Sequence, residues 1–391
     1  MSLLLSRRNE SDDGGYLKQL WRFIAGFNYF QIAGVLVLLT YGAVFVWSTG
    51  VQSGNPDNYL RHLTWIGLGA LLFLIMSIFD YRYLAPLAPI LYGISLILLV
   101  LVLFSTPINN ARSWLAIPGL GLRVQPSELA KLACIIMMAA VMSARGFSIG
   151  RPAGFFTVAG IAAVPFLLIL IEPDFGSACV LLPIVALLMF VAGVRYRWVM
   201  TVLIALVILI PLAALNEIHQ VAPVLKSYQR DRILTFINPD KDPHGAGYNL
   251  RQARLAVGSG GWTGKGIGDG TLSGLGYLPQ TVTNNDFIFA VIAEESGFSG
   301  VALLLLAEMT VVLSCLYIGW ATPDLFGRYL AVGMAGLLFC HIYINVGMCI
   351  GLAPISGLPL PLVSFGGSFM AMNLGALGIL QSIWRYRKEE M

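Results

Sequence analysis

The sequence predicts an all-α integral membrane protein of about ten transmembrane helices, with a large extracytoplasmic loop between helices seven and eight. Three observations predict it: a composition that is 57% hydrophobic and 11% charged over 391 residues, a series of long apolar runs, and one polar, glycine-rich stretch at 216–285. Ordinary soluble domains carry about 25% charged residues. The composition therefore excludes a soluble enzyme, and the scattered net charge of +4 predicts no nucleic-acid partner.

Each membrane helix needs about 20 apolar residues. The runs that meet this requirement are 29–48, 59–79, 84–104, 127–144, 154–171, 175–194, 197–215, 287–318, 328–352 and 366–384. The run 287–318 is long and contains Glu294, Glu295 and Gly297. It predicts either one tilted helix or a short piece followed by a span.

The short loops predict the orientation, because Lys and Arg concentrate on the cytoplasmic side of a membrane. Basic residues fill alternate loops and both tails: Arg7, Arg8, Lys18, Arg22, Arg82, Arg145, Arg151, Arg195, Arg197, Arg328, Arg385, Arg387 and Lys388. We therefore expect cytoplasmic tails at 1–28 and 385–391, a membrane domain at 29–384, and the loop 216–285 outside. Arg112 and Arg123 break the pattern, since they fall in a short outer loop.

The cysteines and histidines predict no structural zinc site. The cysteines lie inside apolar segments without a CxxC pair, which is typical of small packing residues: Cys134, Cys179, Cys315, Cys340 and Cys349. The four histidines form no HExxH pattern and no Cys/His ligand set.

The first segment with candidate chemistry runs from Arg123 to Lys131, Arg-Val-Gln-Pro-Ser-Glu-Leu-Ala-Lys. Ser127 is a candidate helix cap, and Glu128 and Lys131, three residues apart, share a helix face. One interpretation is a cap with an ordinary ion pair. The other is a charged pair that lines a cavity, because intramembrane charges are costly and usually face an interior.

Two carboxylates stand at predicted outer ends of helices. Asp174, in Glu172-Pro-Asp-Phe-Gly-Ser, either caps the sixth span or faces a polar ligand or metal. Asp286 lies where the long loop re-enters the membrane. It either caps the eighth span or places a carboxylate at the mouth of a membrane cavity beside a helix dipole.

Two glycine- or proline-rich segments complete the set. The first is Gly258-Ser-Gly-Gly-Trp-Thr-Gly-Lys265-Gly. It is no nucleotide site, because Ser259 stands where a Walker motif needs its first glycine and Gly266 stands where the motif needs Ser or Thr. Lys265 could still pair with a phosphate as a point charge. The alternative is a plain flexible turn.

The second segment is rich in proline. Prolines 354, 359 and 361 forbid a continuous helix between spans nine and ten. Such a backbone must line a cavity or be covered by protein.

These segments gather at the predicted outer face, together with a set of basic residues. That set is Arg112, Arg123, Lys226, Arg230, Arg232, Arg251, Arg254 and Lys265. A basic face with a few acids suits a ligand that carries phosphate near the lipid headgroups.

The motifs, taken jointly, resemble the SEDS family (RodA, FtsW, SpoVE) of bacterial cell-wall synthesis. The resemblance rests on Asn110-Ala-Arg-Ser-Trp-Leu, Gln125-Pro-Ser-Glu-Leu-Ala-Lys131, Pro173-Asp-Phe-Gly-Ser-Ala178, Gly258–Gly266, Leu278-Pro, Asp286–Glu295 and Gly357-Leu-Pro-Leu-Pro-Leu-Val-Ser-Phe-Gly-Gly-Ser368. Gly264-Lys-Gly266 is more similar to the RodA branch. The chain departs from the family at Asn284-Asn285, usually His-Thr, at Gln280, usually Glu, and at Glu172, commonly Gln.

The resemblance implies a peptidoglycan glycosyltransferase that polymerises lipid II into β-1,4 glycan strands outside the bacterial cytoplasmic (inner) membrane, for cell elongation and rod shape. It implies Asp286 as the catalytic base. The implied substrate-binding residues are Arg123, Glu128, Lys131, Asp174, Arg230, Arg251, Lys265, Ser364 and Ser368. A divalent cation, Mg or Mn, is an alternative or an addition to the basic residues as the charge that stabilises the leaving diphosphate.

The resemblance also implies partners: a class B penicillin-binding protein that cross-links the strands, and membrane proteins of the elongation complex. Three other interpretations stay open at this point. They are a lipid II flippase, a non-catalytic scaffold that activates a partner synthase, and an FtsW-like polymerase specific to division.

Overall fold

A computed structural model describes residues 25–52, 54, 57–106, 112–116, 123–195, 197–198, 200–201, 204, 208, 212, 227–242, 245–277 and 280–387. The longer helices are α1 Tyr29–Gln52, α2 Asp57–Ile78, α3 Leu84–Val102, α4 Pro126–Ser143, α5 Pro152–Ile171, α6 Phe175–Val191, α7 Ser227–Ile237, α8 Ala246–Ser259, α9 Ile288–Ala321, α10 Leu325–Ile350 and α11 Ser368–Tyr386. Two short strands, β1 Leu115–Ala116 and β2 Arg123–Val124, pair antiparallel. The predicted all-α class is confirmed.

Seven helices in the described part of the chain are long and apolar enough to cross a membrane: α1 to α5, with α3 extended by the turn Tyr81–Tyr83, and α9 and α10. Helix α6 is apolar but only 17 residues long, and α11 is not among the seven. The predicted span 197–215 lies mostly outside the described residues. The chain is a multi-pass membrane protein, and the number of ten spans stays a prediction.

Helix α4 begins differently from the prediction. Gln125 is its cap residue in an extended conformation and Pro126 is its first residue, a position where the missing N–H of proline costs nothing. Ser127 therefore lies inside the helix, and the expectation that it caps α4 is wrong. Asp174 does cap α6, since its Oδ1 accepts a hydrogen bond from Ser177 N at 3.1 Å.

The centre of the bundle consists of α4, α10 and α11, whose residues are mostly buried. Helix α2 packs against α11 and α1, whereas α3 packs against α4 and α5. Glycines bring α2 and α11 close together, because Gly375 faces Leu72 and Gly378 faces the backbone of Phe73. Helices α2 and α3, although consecutive in the chain, thus belong to different sides of the bundle.

The long loop 216–285 contains helices of its own. Helix α7 and helix α8 lie within it, and α8 packs against α9 and α10. Leu250, Ala253 and Ala256 are fully buried along one side of α8. A small apolar stripe is enough to hold such a helix when the bundle covers it.

Helix α9 is a short piece followed by a span, which decides between the two predicted alternatives. Gly297 breaks it with φ 64° and ψ −166°, a conformation that favours glycine. The glycine loop 260–270 lies against this break: Lys265 N donates to Glu294 O and Gly266 N to Glu295 O, each at 3.0 Å. A side chain on Gly297 would collide with the backbone of Gly264.

Residues 351–367 are non-helical, as their prolines predict. This proline segment packs against α1, since Gly42 faces the carbonyls of Leu362 and Val363. It also contacts the turn that precedes α9, where Phe365 N donates to Asn284 O at 2.9 Å. Residues 358–364 of the segment are thereby largely covered by protein, as a non-helical backbone near a membrane requires.

Candidate functional site

The N-terminal ends of α4, α6, α9 and α11 meet around Asp286. Gln125, before α4, joins two of them: its backbone N donates to Ser368 Oγ of α11 at 3.1 Å and its Nε2 to Asp174 Oδ2 at 2.8 Å. Gly176 of α6 lies against Ser356 O of the proline segment. The N-terminal ends of helices carry partial positive charge and favour anions. This end of the bundle, which we call the site end, is thus suited to a phosphorylated ligand.

The Asp286 side chain is partly exposed at the site end. It stands two residues before the start of α9, whose cap residue is Phe287, and it makes no capping hydrogen bond. Its carboxylate accepts no hydrogen bond from the described residues, although its backbone is held firmly. A carboxylate that is free of protein donors is available to a substrate hydroxyl.

The pKa of Asp286 is raised to about 6, chiefly because burial removes much of the hydration of the carboxylate. Arg232 lowers the pKa and Asp174 raises it. Arg232 Nη1 donates to Ser356 O of the proline segment at 3.2 Å, and its guanidinium acts on the carboxylate through space rather than through an ion pair. A carboxylate with a pKa near neutrality is still ionised at pH 7 and accepts a proton readily.

A second carboxyl lies nearby, at the end of α5. Glu172 is fully buried, and neither of its oxygens has a hydrogen-bond partner among the described residues. Burial, with a contribution from Asp174, raises the pKa of Glu172 to about 8. Glu172 is therefore mostly protonated at pH 7, so Asp286 is the better candidate for a base.

Glu128 and Lys131 form an ion pair inside the bundle, with Lys131 Nζ 2.8 Å from Glu128 Oε1. The Lys131 side chain is 0% exposed. Its Nζ also lies 3.0 Å from His341 Nε2 of α10. The i,i+3 ion pair common to both interpretations is present and buried, and the structure adds a histidine that the sequence did not indicate. That the pair lines a cavity stays a prediction.

A profile of the cell cycle protein family of FtsW, RodA and SpoVE matches residues 29–389. The chain belongs to this family, the SEDS family. It is 35% identical over 360 residues to the peptidoglycan glycosyltransferase MrdB of Escherichia coli strain K12, covering 90% of this chain and 92% of that protein. It is 33% identical over 370 residues to a probable peptidoglycan glycosyltransferase FtsW of Trichlorobacter lovleyi, covering 92% and 93%.

A solved structure shares the fold of this SEDS protein. It is described as a peptidoglycan synthase complex that coordinates polymerization and crosslinking. The matching chain is 31% identical, with a TM-score of 0.78, and the match covers 92% of this chain and 98% of that one.

Several cations predicted to bind substrate in this SEDS protein have protein partners. Lys265 Nζ lies 2.6 Å from Glu294 Oε1, beside the break in α9. Arg251 Nη1 lies 3.0 Å from Asp240 Oδ1 on the surface. Arg123 is exposed on β2, and Arg230 is half-buried. Their contact with substrate stays a prediction, and only Lys131 of the predicted cations has a partner on α10.

The two serines predicted to bind substrate, Ser364 and Ser368, are buried and make hydrogen bonds to backbone groups. Ser364 is 1% exposed; its Oγ donates to Asn285 O at 2.6 Å and accepts from Leu360 N at 2.7 Å. Ser368 is also 1% exposed and accepts from Gln125 N. Both organise the site end, and direct contact with substrate stays a prediction.

The sequence indicated Arg232 only as one of several basic residues and gave no role to Gln125, His341 or Asn345. No sequence spacing links these residues to Asp286, because α4, α7 and α10 come together only in the fold. As for a metal, the described residues contain no group of three or more His, Cys, Asp or Glu that could hold one.

Proposed function

We propose that this SEDS protein polymerises lipid II into β-1,4-linked glycan at the outer face of the bacterial cytoplasmic membrane. The observation that carries the proposal is Asp286: a partly exposed carboxylate with a pKa of about 6, within the electrostatic influence of Arg232 and among four helix N-terminal ends. The relatives named as peptidoglycan glycosyltransferases support the reaction class.

Asp286 acts as the general base in this proposal. The 4-hydroxyl oxygen of one lipid-linked sugar attacks C1 of another, the C1–O bond to the diphosphate breaks, and the hydroxyl proton passes to the Asp286 carboxylate. One displacement inverts the α-linkage of the donor to the β-linkage of the product. Positioned proton acceptors of this kind contribute roughly 10²–10⁴-fold to a rate.

The leaving diphosphate develops negative charge, which fixed positive groups stabilise. We assign this role to Arg232 and to the N-terminal ends of α4 and α6, which meet at Asp174 and Gln125. Arg123, Arg230, Arg251 and Lys265 remain candidates for contacts farther along the substrate. A divalent cation bound to the diphosphate would add charge there, since Mg²⁺ in proteins is often bound largely through substrate phosphates.

The polyprenyl tail of lipid II needs an apolar path from the bilayer. Helices α2 and α3 pack against different neighbours, and both expose many large apolar side chains, among them Leu71, Ile90 and Ile97. We assign the tail to the exposed apolar surface of these two helices. Helix α2 packs against α11 and α3 against α4, and the N-terminal ends of α11 and α4 form part of the site end.

Cross-linking of the strands falls, in this proposal, to a class B penicillin-binding protein. The related solved complex, which coordinates polymerization and crosslinking, supports such a pairing. The Gly264-Lys265-Gly266 sequence favours the elongation role, with other elongation-complex membrane proteins as further partners. Similar identity to MrdB and to FtsW leaves the division role as the alternative.

The test is purified protein in liposomes with lipid II, with and without the class B penicillin-binding protein, and with moenomycin to silence unrelated polymerases. We expect glycan polymer to accumulate. The flippase alternative predicts instead that lipid II crosses the bilayer while no polymer forms. That second result would overturn the proposal.

A further inference from the structure

One side of α10 carries three polar residues spaced four apart: His341, Asn345 and Cys349. Residues with this spacing share a helix face. Asn345 Nδ2 donates to Asp286 O at 2.9 Å, and Cys349 Sγ lies 3.9 Å from the same oxygen. His341 Nε2 lies 3.0 Å from Lys131 Nζ. This polar face therefore contacts both the buried ion pair and the backbone of the proposed base.

The backbone turn that carries Asp286 is fixed by hydrogen bonds that its carbonyl oxygens accept. Asn284 O accepts from Phe365 N at 2.9 Å, Asn285 O from Ser364 Oγ at 2.6 Å, and Asp286 O from Asn345 Nδ2 at 2.9 Å. Three successive carbonyls are thus bound while the Asp286 carboxylate makes no hydrogen bond to the described residues. A fixed backbone under a free carboxylate is a preorganised base.

Asn345 is the member of this set that joins the turn to the proline segment. Its Nδ2 also donates to Leu358 O at 2.7 Å, and its side chain is fully buried. The two carbonyl acceptors fix the orientation of the amide, because only the nitrogen can donate. Asn345 therefore sets the distance between the Asp286 turn and Leu358.

His341 connects the same segment to the ion pair. The Lys131 ammonium has only donors, so His341 Nε2 must accept and Nδ1 must carry the proton. The Nδ1–H then donates to Pro359 O at 3.4 Å. Leu358 and Pro359 are consecutive in the proline segment. His341 and Asn345 therefore donate hydrogen bonds to two neighbouring carbonyls of this segment from one face of α10.

We infer that Asn345 is a positioning residue for the Asp286 carboxylate and that His341 links this position to the Glu128–Lys131 pair. The inference rests on the proposed role of Asp286 as base. A shift of about 1 Å in a reacting group costs roughly 100-fold in rate. Loss of the Asn345 donors should therefore lower kcat while leaving lipid II binding, and hence KM, nearly unchanged.

The experiment compares Asn345→Leu and Asn345→Val, which remove both N–H donors without adding another, in lipid II polymerisation by purified protein. Asn373→Leu is the matched control, since this buried amide only donates to Phe369 O of its own helix. The polymerisation rate of each variant is normalised to the amount of folded protein, measured by size-exclusion chromatography. We expect kcat to fall roughly 100-fold with KM within about twofold for both Asn345 variants, and no comparable fall for the control.

His341→Gln and His341→Leu test the second half of the inference. Glutamine keeps one acceptor for Lys131 and one donor for Pro359 O, whereas leucine keeps neither. We expect Gln to retain most of kcat and Leu to lose it. The double variant His341→Leu/Asn345→Leu should lose less than the product of the single losses, because both act on one position.

A kcat within twofold of wild type in folded Asn345→Leu, or an equal loss in Asn373→Leu, would overturn the inference. Asp286→Asn separates this failure from that of the proposed function. If Asp286→Asn is inactive while the Asn345 variants are fully active, the base stands and the positioning role falls. If Asp286→Asn is active, the base itself is wrong.

Discussion

The Asp286 carboxylate depends on its surroundings for its chemistry. Burial raises its pKa to about 6, Arg232 lowers the pKa and Asp174 raises it. A base must be ionised before it accepts a proton, so the proposed role of Asp286 predicts that the reaction rate falls as the pH drops through this pKa. In the proposed mechanism the three residues together set the acid side of the pH–rate profile.

We predict that kcat/KM for lipid II decreases below about pH 6, approaching tenfold per pH unit. Arg232→Gln removes the group that lowers the Asp286 pKa, so its acid limb should move to higher pH. Asp174→Asn removes a group that raises it, so its limb should move to lower pH. Profiles that stay fixed in both variants would show that another group limits the rate.

The buried ion pair makes a prediction about stability. Lys131→Met leaves Glu128, which is 5% exposed, without its cation, and an uncompensated buried charge costs about 3–5 kcal/mol. We expect a clear drop in the thermal unfolding midpoint in detergent. The double variant Glu128→Gln/Lys131→Met should recover much of it, because no charge remains unpaired; a double variant as unstable as the single one would argue against this account.

For single residues, the sequence indicated Asp286 as the candidate base but did not indicate Asn345 and His341, which contact the backbone around it. Asp286 and the Glu128–Lys131 spacing stand out because charges at apolar borders are rare. Asn345 and His341 act through backbone carbonyls of Asp286 and Pro359. Contacts to carbonyls leave no preference for residue type in the partner, so no motif could indicate them.

Among the elements, the glycine loop and the break in α9 depend on each other. Glu295 accepts from Ser48 and Gln52 of α1 and from Gly268 N at 3.1 Å. The loop thereby ties α9 to α1 around Gly297. Lys265, paired with Glu294, belongs to this tie.

We predict that Gly297→Ala loosens the loop, because a Cβ there meets the Gly264 backbone and the φ of 64° disfavours alanine. Limited proteolysis should cut residues 260–276 faster than in wild type, and the unfolding midpoint should fall. Gly258→Ala is the matched control, since nothing lies within 4 Å of its added Cβ. Equal proteolysis of Gly297→Ala and wild type would refute the tie.

Apolar length predicted most helices, as with 127–144 against α4 Pro126–Ser143 and 328–352 against α10 Leu325–Ile350. It did not predict α7 and α8, because these helices are largely polar. Helix α8 buries only a narrow stripe that includes Leu250 and Ala253. Such helices are stabilised by tertiary packing rather than by an apolar run.

For the whole molecule, the distribution of basic residues predicts which way the bundle faces. The site end holds Asp286 and lies at the C-terminal end of α10, opposite its cap residue Asp324. An outer-face polymerase requires the site end to be outside and both tails to be in the cytoplasm. The chain-wide pattern of Lys and Arg favours this orientation.

We predict that cysteine labelling will place both tails in the cytoplasm and the glycine loop outside. In a variant without native cysteines, Ser11→Cys and Glu389→Cys should react with a membrane-impermeant maleimide only after permeabilisation. Thr263→Cys, on the exposed face of the glycine loop, should react in intact spheroplasts. Labelling of the tails in intact spheroplasts would invert the proposed orientation and remove the site from the outer face.

The role of Asp286 as the base is tested by lipid II polymerisation with Asp286→Asn beside wild type. Asp269→Asn, which changes an exposed carboxylate on the glycine loop, serves as the control. We expect Asp286→Asn to fold, as judged by size exclusion, and to make less than about a hundredth of the wild-type polymer, while Asp269→Asn stays near wild type. Polymer at close to the normal rate from folded Asp286→Asn would show that Asp286 is not the base.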